Sequence, residues 1–246
     1  MFMTPVISYL AVVICHGSYH TPAPYTPLAE SLKVAGIDAY CPQLPISDPT
    51  KLNVGDPNTP DFDRGPPEGG YPQGHEETDT ILSVLNPLIL EQGKRVLIVG
   101  HSSGGWVATE AARPELQAKT RKDQGLTGGV IGILYIGAFI IPVGESVHSF
   151  FQPKDGSFVV PPFLDFHTFF FNDLEPKVAE NWVATLTASP VLTTKLSNDA
   201  YAALPCAYLI LEEFTLYRCP AGHSPHLSWT GGPVRTIQDF VKKITN

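Results

Sequence analysis

The stretch VLIVGHSSGGW, Val96 to Trp106, sets an apolar run against glycines that bracket two serines. Such continuous apolar runs mark strands buried on both faces of a parallel sheet. Gly100, Gly104 and Gly105 allow a sharp turn and close backbone packing before a following helix. Gly100-His-Ser-Ser-Gly104 is a Gly-x-Ser-x-Gly sequence with Ser102 at its centre, in the strand-then-helix context of a nucleophile elbow. A strained turn of this kind presents the serine Oγ at the carboxyl edge of the sheet, where the next helix dipole favours negative charge. A phosphate loop also uses such glycines, but the chain has neither a Gly-Lys-Ser/Thr ending nor Gly-x-Gly-x-x-Gly spacing here. Ser102 is the candidate nucleophile.

A serine hydroxyl needs an adjacent base to take its proton near neutral pH. Of eight histidines, His223 stands late in the chain, between a strand-like run and the final helical pattern, where a Ser-first triad places its base. His226 is the near rival. The first strand ends in Cys15-His-Gly-Ser-Tyr-His20, and the backbone N–H of Ser18 could pair there with that of Ser103 to hold an oxyanion.

The elements that must position these groups alternate in type. Strand-like runs occupy Ser8–Cys15, Ile37–Cys41, Val96–Val99, Val130–Phe139 and Ala207–Leu211. Helical patterns fit Thr26–Ala35, His75–Gln92, Gly105–Arg113 and Pro233–Ile244, the last with Val234, Ile237, Val241 and Ile244 on one face. The alternation predicts an α/β fold, a mostly parallel sheet with helices on both faces. A length of 246 residues suits one domain spanning 1–246. A charged fraction of 16% with 24 prolines and 21 glycines implies ordered loops rather than disorder.

The net charge of −8 argues against a nucleic-acid backbone or an anionic membrane as partner. Val6 to Cys15 is apolar, but no basic segment precedes it and ten residues cannot span a bilayer, so it reads as a strand and the chain as cytoplasmic. Cys15, Cys41, Cys206 and Cys219 lack metal-ligand spacing, and Cys15 and Cys206 in apolar runs read as buried free thiols. Ile46 to Gly74 is a polar surface loop whose Asp56, Asp61 and Asp63 do not match a calcium loop. No metal and no cofactor are expected.

From residue 143 to 203 the alternation breaks, giving an expected cap insertion. Phe150, Phe151, Phe158, Phe163, Phe166, Phe169, Phe170 and Phe171 crowd its first half, and Pro176 opens a helix with Val178, Trp182 and Leu186 at i, i+4 and i+8. An aromatic underside would line a pocket for a small apolar substrate.

With these residues assembled, the chain resembles the α/β-hydrolase superfamily. Within it, the pattern is similar to the small-capped group of plant methylesterases, hydroxynitrile lyases and fungal secondary-metabolism hydrolases. His16-Gly-Ser-Tyr-His20, Cys41-Pro-Gln-Leu-Pro45, Gly100-His-Ser-Ser-Gly-Gly105 and Gly222-His-Ser-Pro-His-Leu-Ser228 carry the resemblance over nearly the whole chain. It implies Ser102 as nucleophile, His223 as base, and the N–H groups of Ser18 and Ser103 as oxyanion donors. Lyases of the group carry threonine after the first histidine and lysine after the catalytic one. Gly17 and Ser224 stand there instead, as in esterases.

The resemblance also implies an acid after the strand ending near Leu211, then a helix and a last strand. Here Ala207–Glu213 runs directly into Phe214–Arg218, an edge shortened over residues 207–218. Parallel neighbours need a crossover of a dozen or more residues, so these runs are expected to form one long strand, a tight antiparallel hairpin or a distorted edge rather than adjacent parallel strands. Glu213 is the candidate substitute acid, with Glu212, Glu145 or a Ser–His dyad as alternatives.

The function expected is a serine hydrolase acting on an ester, lactone or related acyl bond through an acyl-enzyme. The alternatives are a lyase or cyclase working on a polyketide-like molecule, and a catalytically silent homologue that binds a small ligand.

Overall fold

The computed structural model describes residues 9–150, 170–211, 218–219 and 225–245. Its centre is a sheet of six strands: β1 (Leu10–Cys15), β2 (Asp38–Tyr40), β3 (Arg95–His101), β4 (Gly129–Ile136), β5 (Cys206–Leu211) and β6 (Arg218–Cys219). Their order is β2-β1-β3-β4-β5-β6, and every neighbouring pair is parallel. The helices are α1 (Thr26–Val34), α2 (Gly74–Asn86), α3 (Gly104–Ala111), α4 (Ala118–Asp123), α5 (Pro176–Val183), α6 (Pro225–Ser228) and α7 (Gly231–Thr245). This is the parallel α/β sheet, covered on both faces, that the alternation of patterns predicts.

Strand alternation divides the core into two layers. Ala11, Val13, Cys15, Val96 and Ile98 pack with Ile81 and Leu85 of α2 and with Trp106 and Val107 of α3. Val12, Ile14, Leu97 and Val99 pack with Leu28 and Leu32 of α1 and with Ile237 and Phe240 of α7. In β4 the register steps over Ile131, Val96 pairing with Val130 and Leu97 with Gly132. That bulge resets the parity, so Val130 and then Ile133 and Tyr135 share one face while Ile131, Leu134 and Ile136 share the other. Tyr135 thereby reaches α3, its hydroxyl 2.8 Å from Thr109 Oγ1.

β1 lies between β2 and β3, with α1 on one face of the sheet and α2 on the other. The carboxyl ends of β1 and β3 therefore flank the point where the strand order reverses, the place where such sheets open a crevice. α2 begins at a capping box between Gln73 and Glu76. The pattern expected to run as helix to Gln92 stops at Pro87, which lacks an N–H, and continues as one wider π-helical turn over Pro87–Glu91.

Three expectations are corrected. β5 and β6 are adjacent and parallel, pairing Ile210 with Arg218 and Leu211 with Cys219. A long crossover is needed only when the chain must return along the whole preceding strand. β6 meets just the last two residues of β5, so Arg218 lies level with Ile210, about one residue rise back from Leu211. In α5 the inward face is Ala179, Trp182, Val183 and Leu186, while Val178 is exposed. Trp182 and Leu186 pack inward as expected, Leu186 from just beyond the end of the helix, but Ala179 takes the buried place expected for Val178. Cys15 is a buried free thiol as expected, but Cys206, at the opening end of β5, is exposed. Asp56, Asp61 and Asp63 are exposed turn residues; Asp56 Oδ1 accepts from the Asn58 N–H at 2.9 Å and Asp61 Oδ1 from the Asp63 N–H at 3.1 Å. Among the described residues no cluster of metal-ligating side chains occurs, and no helix is long and apolar enough to cross a membrane.

Candidate active site

Ser102 follows β3 with φ +53°. The left-handed region costs a non-glycine residue about 1–2 kcal/mol, so the surroundings must impose it. The Ser102 N–H donates to the Ile136 carbonyl at 3.3 Å, and its own carbonyl accepts from the N–H groups of Gly105 at 3.1 Å and Phe139 at 2.9 Å. The turn is pinned between β4 and the first turn of α3. Two glycines allow the β1 loop to close over it. A Cβ on Gly17 would lie 2.8 Å from Ser102 Cβ, and one on Gly104 only 2.1 Å from the Cys15 carbonyl oxygen. The half-buried Ser102 side chain consequently stands where the ends of β1 and β3 meet, ahead of the positive end of α3.

Ser18, on the loop after β1, faces Ser103. The Ser18 N–H donates to Ser103 Oγ at 2.7 Å, and Ser18 Oγ–H donates to the same oxygen at 2.8 Å. Both residues assigned from the sequence to hold an oxyanion are thus brought together, with a side-chain contact that the sequence reading did not include.

Behind them stands a wall of imidazoles. His16 Nε2 accepts the Leu44 N–H at 3.0 Å, which leaves Nδ1–H to donate to the Gly17 carbonyl at 3.1 Å. Burial pushes the His16 pKa down to about 4, against the opposing pull of that Gly17 hydrogen bond. His16 is therefore a neutral anchor of the loop rather than a base. The Tyr25 hydroxyl accepts the Gly17 N–H at 3.1 Å and shares a 2.6 Å hydrogen bond with His101 Nδ1. It links the β1 loop to the residue immediately before Ser102, and burial holds its pKa far above the ordinary value. His20 Nδ1 is 2.9 Å from the Ser18 carbonyl. Neither Tyr25 nor His101 stands out by spacing; the only hint is their place beside the two loops, at the start of α1 and inside the elbow.

His226 lies in α6 and is 1% exposed. Its ring stacks on Tyr25 and meets His101 edge-on at 4.9 Å. His223, Glu212 and Glu213 lie outside the described residues, between β5 and α6. Glu145 is exposed; its backbone N–H donates to Pro142 and its carbonyl accepts from Leu196.

Of the crowded phenylalanines, Phe151, Phe158, Phe163, Phe166 and Phe169 lie outside the described residues, and Phe150 is exposed. Phe170 and Phe171 are buried, with ring centres 5.2 Å and 6.0 Å from His20. They pack with Ala179 and Trp182 of α5 and with Leu227 of α6. The Thr187 N–H donates to the Tyr19 carbonyl at 2.8 Å, and Ser228 Oγ–H donates to Asp173. These bonds fasten the 170–190 segment to the β1 loop and to α6. Tyr19 also lines a cleft of about 250 Å³, together with Leu52, Val54, Phe62 and Tyr71 and with Pro190 of that segment.

The model of the alpha/beta hydrolase family matches residues 12–239. The chain is 26% identical over 262 residues to alpha/beta hydrolase nvfD of Aspergillus novofumigatus, covering 93% of this chain and 95% of that one. Among solved structures, an extracellular alpha/beta-hydrolase from a Paenibacillus species is similar with a TM-score of 0.64 at 17% identity, over 96% of this chain and 98% of that one. Tomato methylketone synthase I, complexed with 2-tridecanone, gives a TM-score of 0.65 at 10% identity, over 95% and 98%. The Arabidopsis methylesterase MES16 gives 0.61 at 17% identity, over 95% and 99%.

Proposed function

This chain belongs to the alpha/beta hydrolase family, and we propose that it is a serine hydrolase cleaving an ester, lactone or related acyl bond of a small, largely apolar substrate. The observation that carries the reading is Ser102 at φ +53°, at the carboxyl end of β3 and against Gly17 of the β1 loop. Strain of this kind persists where the surroundings impose it, and it aims one hydroxyl into the crevice. Phe170 and Phe171 beside His20 supply an apolar wall. The esterase among the solved relatives and the apolar ketone bound to another are in keeping with such a substrate.

In this reading Ser102 Oγ attacks the carbonyl carbon while His223 takes its proton. The carbonyl oxygen, now an oxyanion, is held by the N–H groups of Ser18 and Ser103; one such donor typically contributes about two to three orders of magnitude in rate. The tetrahedral intermediate collapses, the alkoxide leaves with the proton from His223, and Ser102 remains acylated. Water then attacks with His223 again as base, releasing the acid and restoring Ser102. Glu213 stabilises the imidazolium. Neither metal nor cofactor takes part.

A fluorophosphonate probe tests the assignment. Covalent labelling at Ser102, absent from Ser102→Ala, is expected, together with loss of p-nitrophenyl acetate and butyrate turnover in that variant. Equal background turnover by both proteins, without labelling, would instead favour a silent ligand-binding homologue. The similarity to a synthase favours one second reading, a lyase or cyclase using the same pocket for proton transfer. Turnover of a polyketide-like substrate with no trappable acyl-Ser102 would select it.

A further inference from the structure

Ser103 is the N-cap residue of α3, yet its side chain makes no capping hydrogen bond. Serine at this position ordinarily turns its oxygen back onto the first free N–H groups of the helix. Here Ser103 Oγ turns to the β1 loop, where it accepts the Ser18 N–H at 2.7 Å and the Ser18 Oγ–H at 2.8 Å. A hydroxyl oxygen has two acceptor sites, and Ser18 fills both. Ser103 is 4% exposed, while Ser18 is half-buried.

We propose that the Ser103 hydroxyl is a built-in plug of the oxyanion site: its oxygen occupies the place on the Ser18 N–H that the substrate's carbonyl oxygen must take. The inference rests on the assignment of the Ser18 N–H to the oxyanion made above. The Ser103 backbone N–H serves the reaction, whereas its side chain competes with it. In the resting protein the plug keeps the Ser18 amide satisfied and aimed at the position of an acceptor oxygen. Turnover then requires Ser103 to rotate about χ1 to another staggered position, exchanging its two hydrogen bonds for those of the oxyanion. A substrate whose carbonyl draws little charge exchanges them poorly, so the plug makes Ser103 a positioning residue that favours reactive acyl groups.

The test compares Ser103→Ala with the unaltered protein. Removing the competing oxygen frees the Ser18 N–H, so the second-order rate of fluorophosphonate labelling at Ser102 should rise about 3- to 10-fold, the equivalent of one ordinary hydrogen bond. kcat/KM for p-nitrophenyl butyrate and the affinity for phenylboronic acid, which binds as a tetrahedral anion, should rise in parallel. A loosened core would raise none of these together. Ser18→Ala, which keeps the amide but removes one bond holding the plug, should give a smaller rise. Labelling at Ser102 that is unchanged or slower in both variants overturns the plug and leaves the hydrolase assignment standing. Absence of labelling in the unaltered protein overturns both.

Discussion

His226 lies flat on Tyr25, the two ring centres 4.4 Å apart and the planes 1° from parallel. Tyr25 in turn holds Gly17 and His101, the backbone neighbours of the β1 loop and of Ser102. The start of α6, just beyond His223 in the chain, is thus built into the same packed block as the Ser102 turn. His226→Ala should cost about 2 kcal/mol through lost stacking and a cavity, read as a lowered urea midpoint, with part of the turnover kept. His223→Ala should leave the midpoint within error and remove turnover. The reverse pattern would exchange the two roles.

Ser102→Gly should separate strain from chemistry. Glycine adopts φ +53° without the Cβ penalty, so the variant should gain about 1 kcal/mol in stability while losing turnover. Ser102→Ala keeps the Cβ and should lose turnover without the gain. Thermal unfolding of the three proteins decides; a Ser102→Gly no more stable than Ser102→Ala would mean the turn carries no strain.

Gly17→Ala places a methyl group 2.8 Å from Ser102 Cβ, inside contact distance. Either the β1 loop or the elbow must shift, and a displacement near 1 Å is worth about 100-fold in rate. We expect that loss in kcat/KM with a folded far-UV spectrum; full activity would show that the approach is not needed.

Glu77 of α2 is fully buried, with Oε1 accepting the Ile46 N–H at 2.6 Å and Oε2 without a hydrogen bond among the described residues. Burial, opposed by the Ile46 N–H, pushes its pKa up from 4.5 to about 8. Above pH 4.5 the unfolded chain has lost this proton while the native state keeps it, so stability falls with pH until about 8. His16, pushed down from 6.5 to about 4, has the opposite slope between those values. The two cancel between pH 4.5 and 6.5, and Glu77 alone acts from 6.5 to 8, where about 2 kcal/mol should be lost at roughly 1.4 kcal/mol per pH unit. Glu77→Gln should abolish that decline in urea melts at pH 6.5 and 8; a decline that persists refutes the assignment.

Ser102 was legible because an elbow demands particular residue types at fixed offsets between a strand and a helix. The strands were legible because residues such as Val96, Leu97 and Ile98 must satisfy two buried faces at once. β6 was not, since its parallel pairing depends on how little of β5 it covers, a quantity that composition does not carry. On α5 Trp182 was legible and Val178 was not, because Ala179, a weak hydrophobic signal, is the residue actually buried, while the more apolar Val178 faces water. Tyr25, His101 and the Ser103 side chain act through single hydrogen bonds between distant segments, and no local periodicity encodes those.

The β1–β3 register pairs Cys15 with Gly100, and the Ser18–Ser103 contact it creates joins residues 85 positions apart. The proposed nucleophile and one of its proposed donors therefore do not coexist until two far-separated strands have found the right alignment. A slip of one residue would move them by about 3.3 Å and turn every side chain of one strand to the wrong layer. Reactivity at Ser102 is in that sense a clock for refolding: after dilution from denaturant, its return marks the closure of this long loop, and helical content regained earlier would leave it silent.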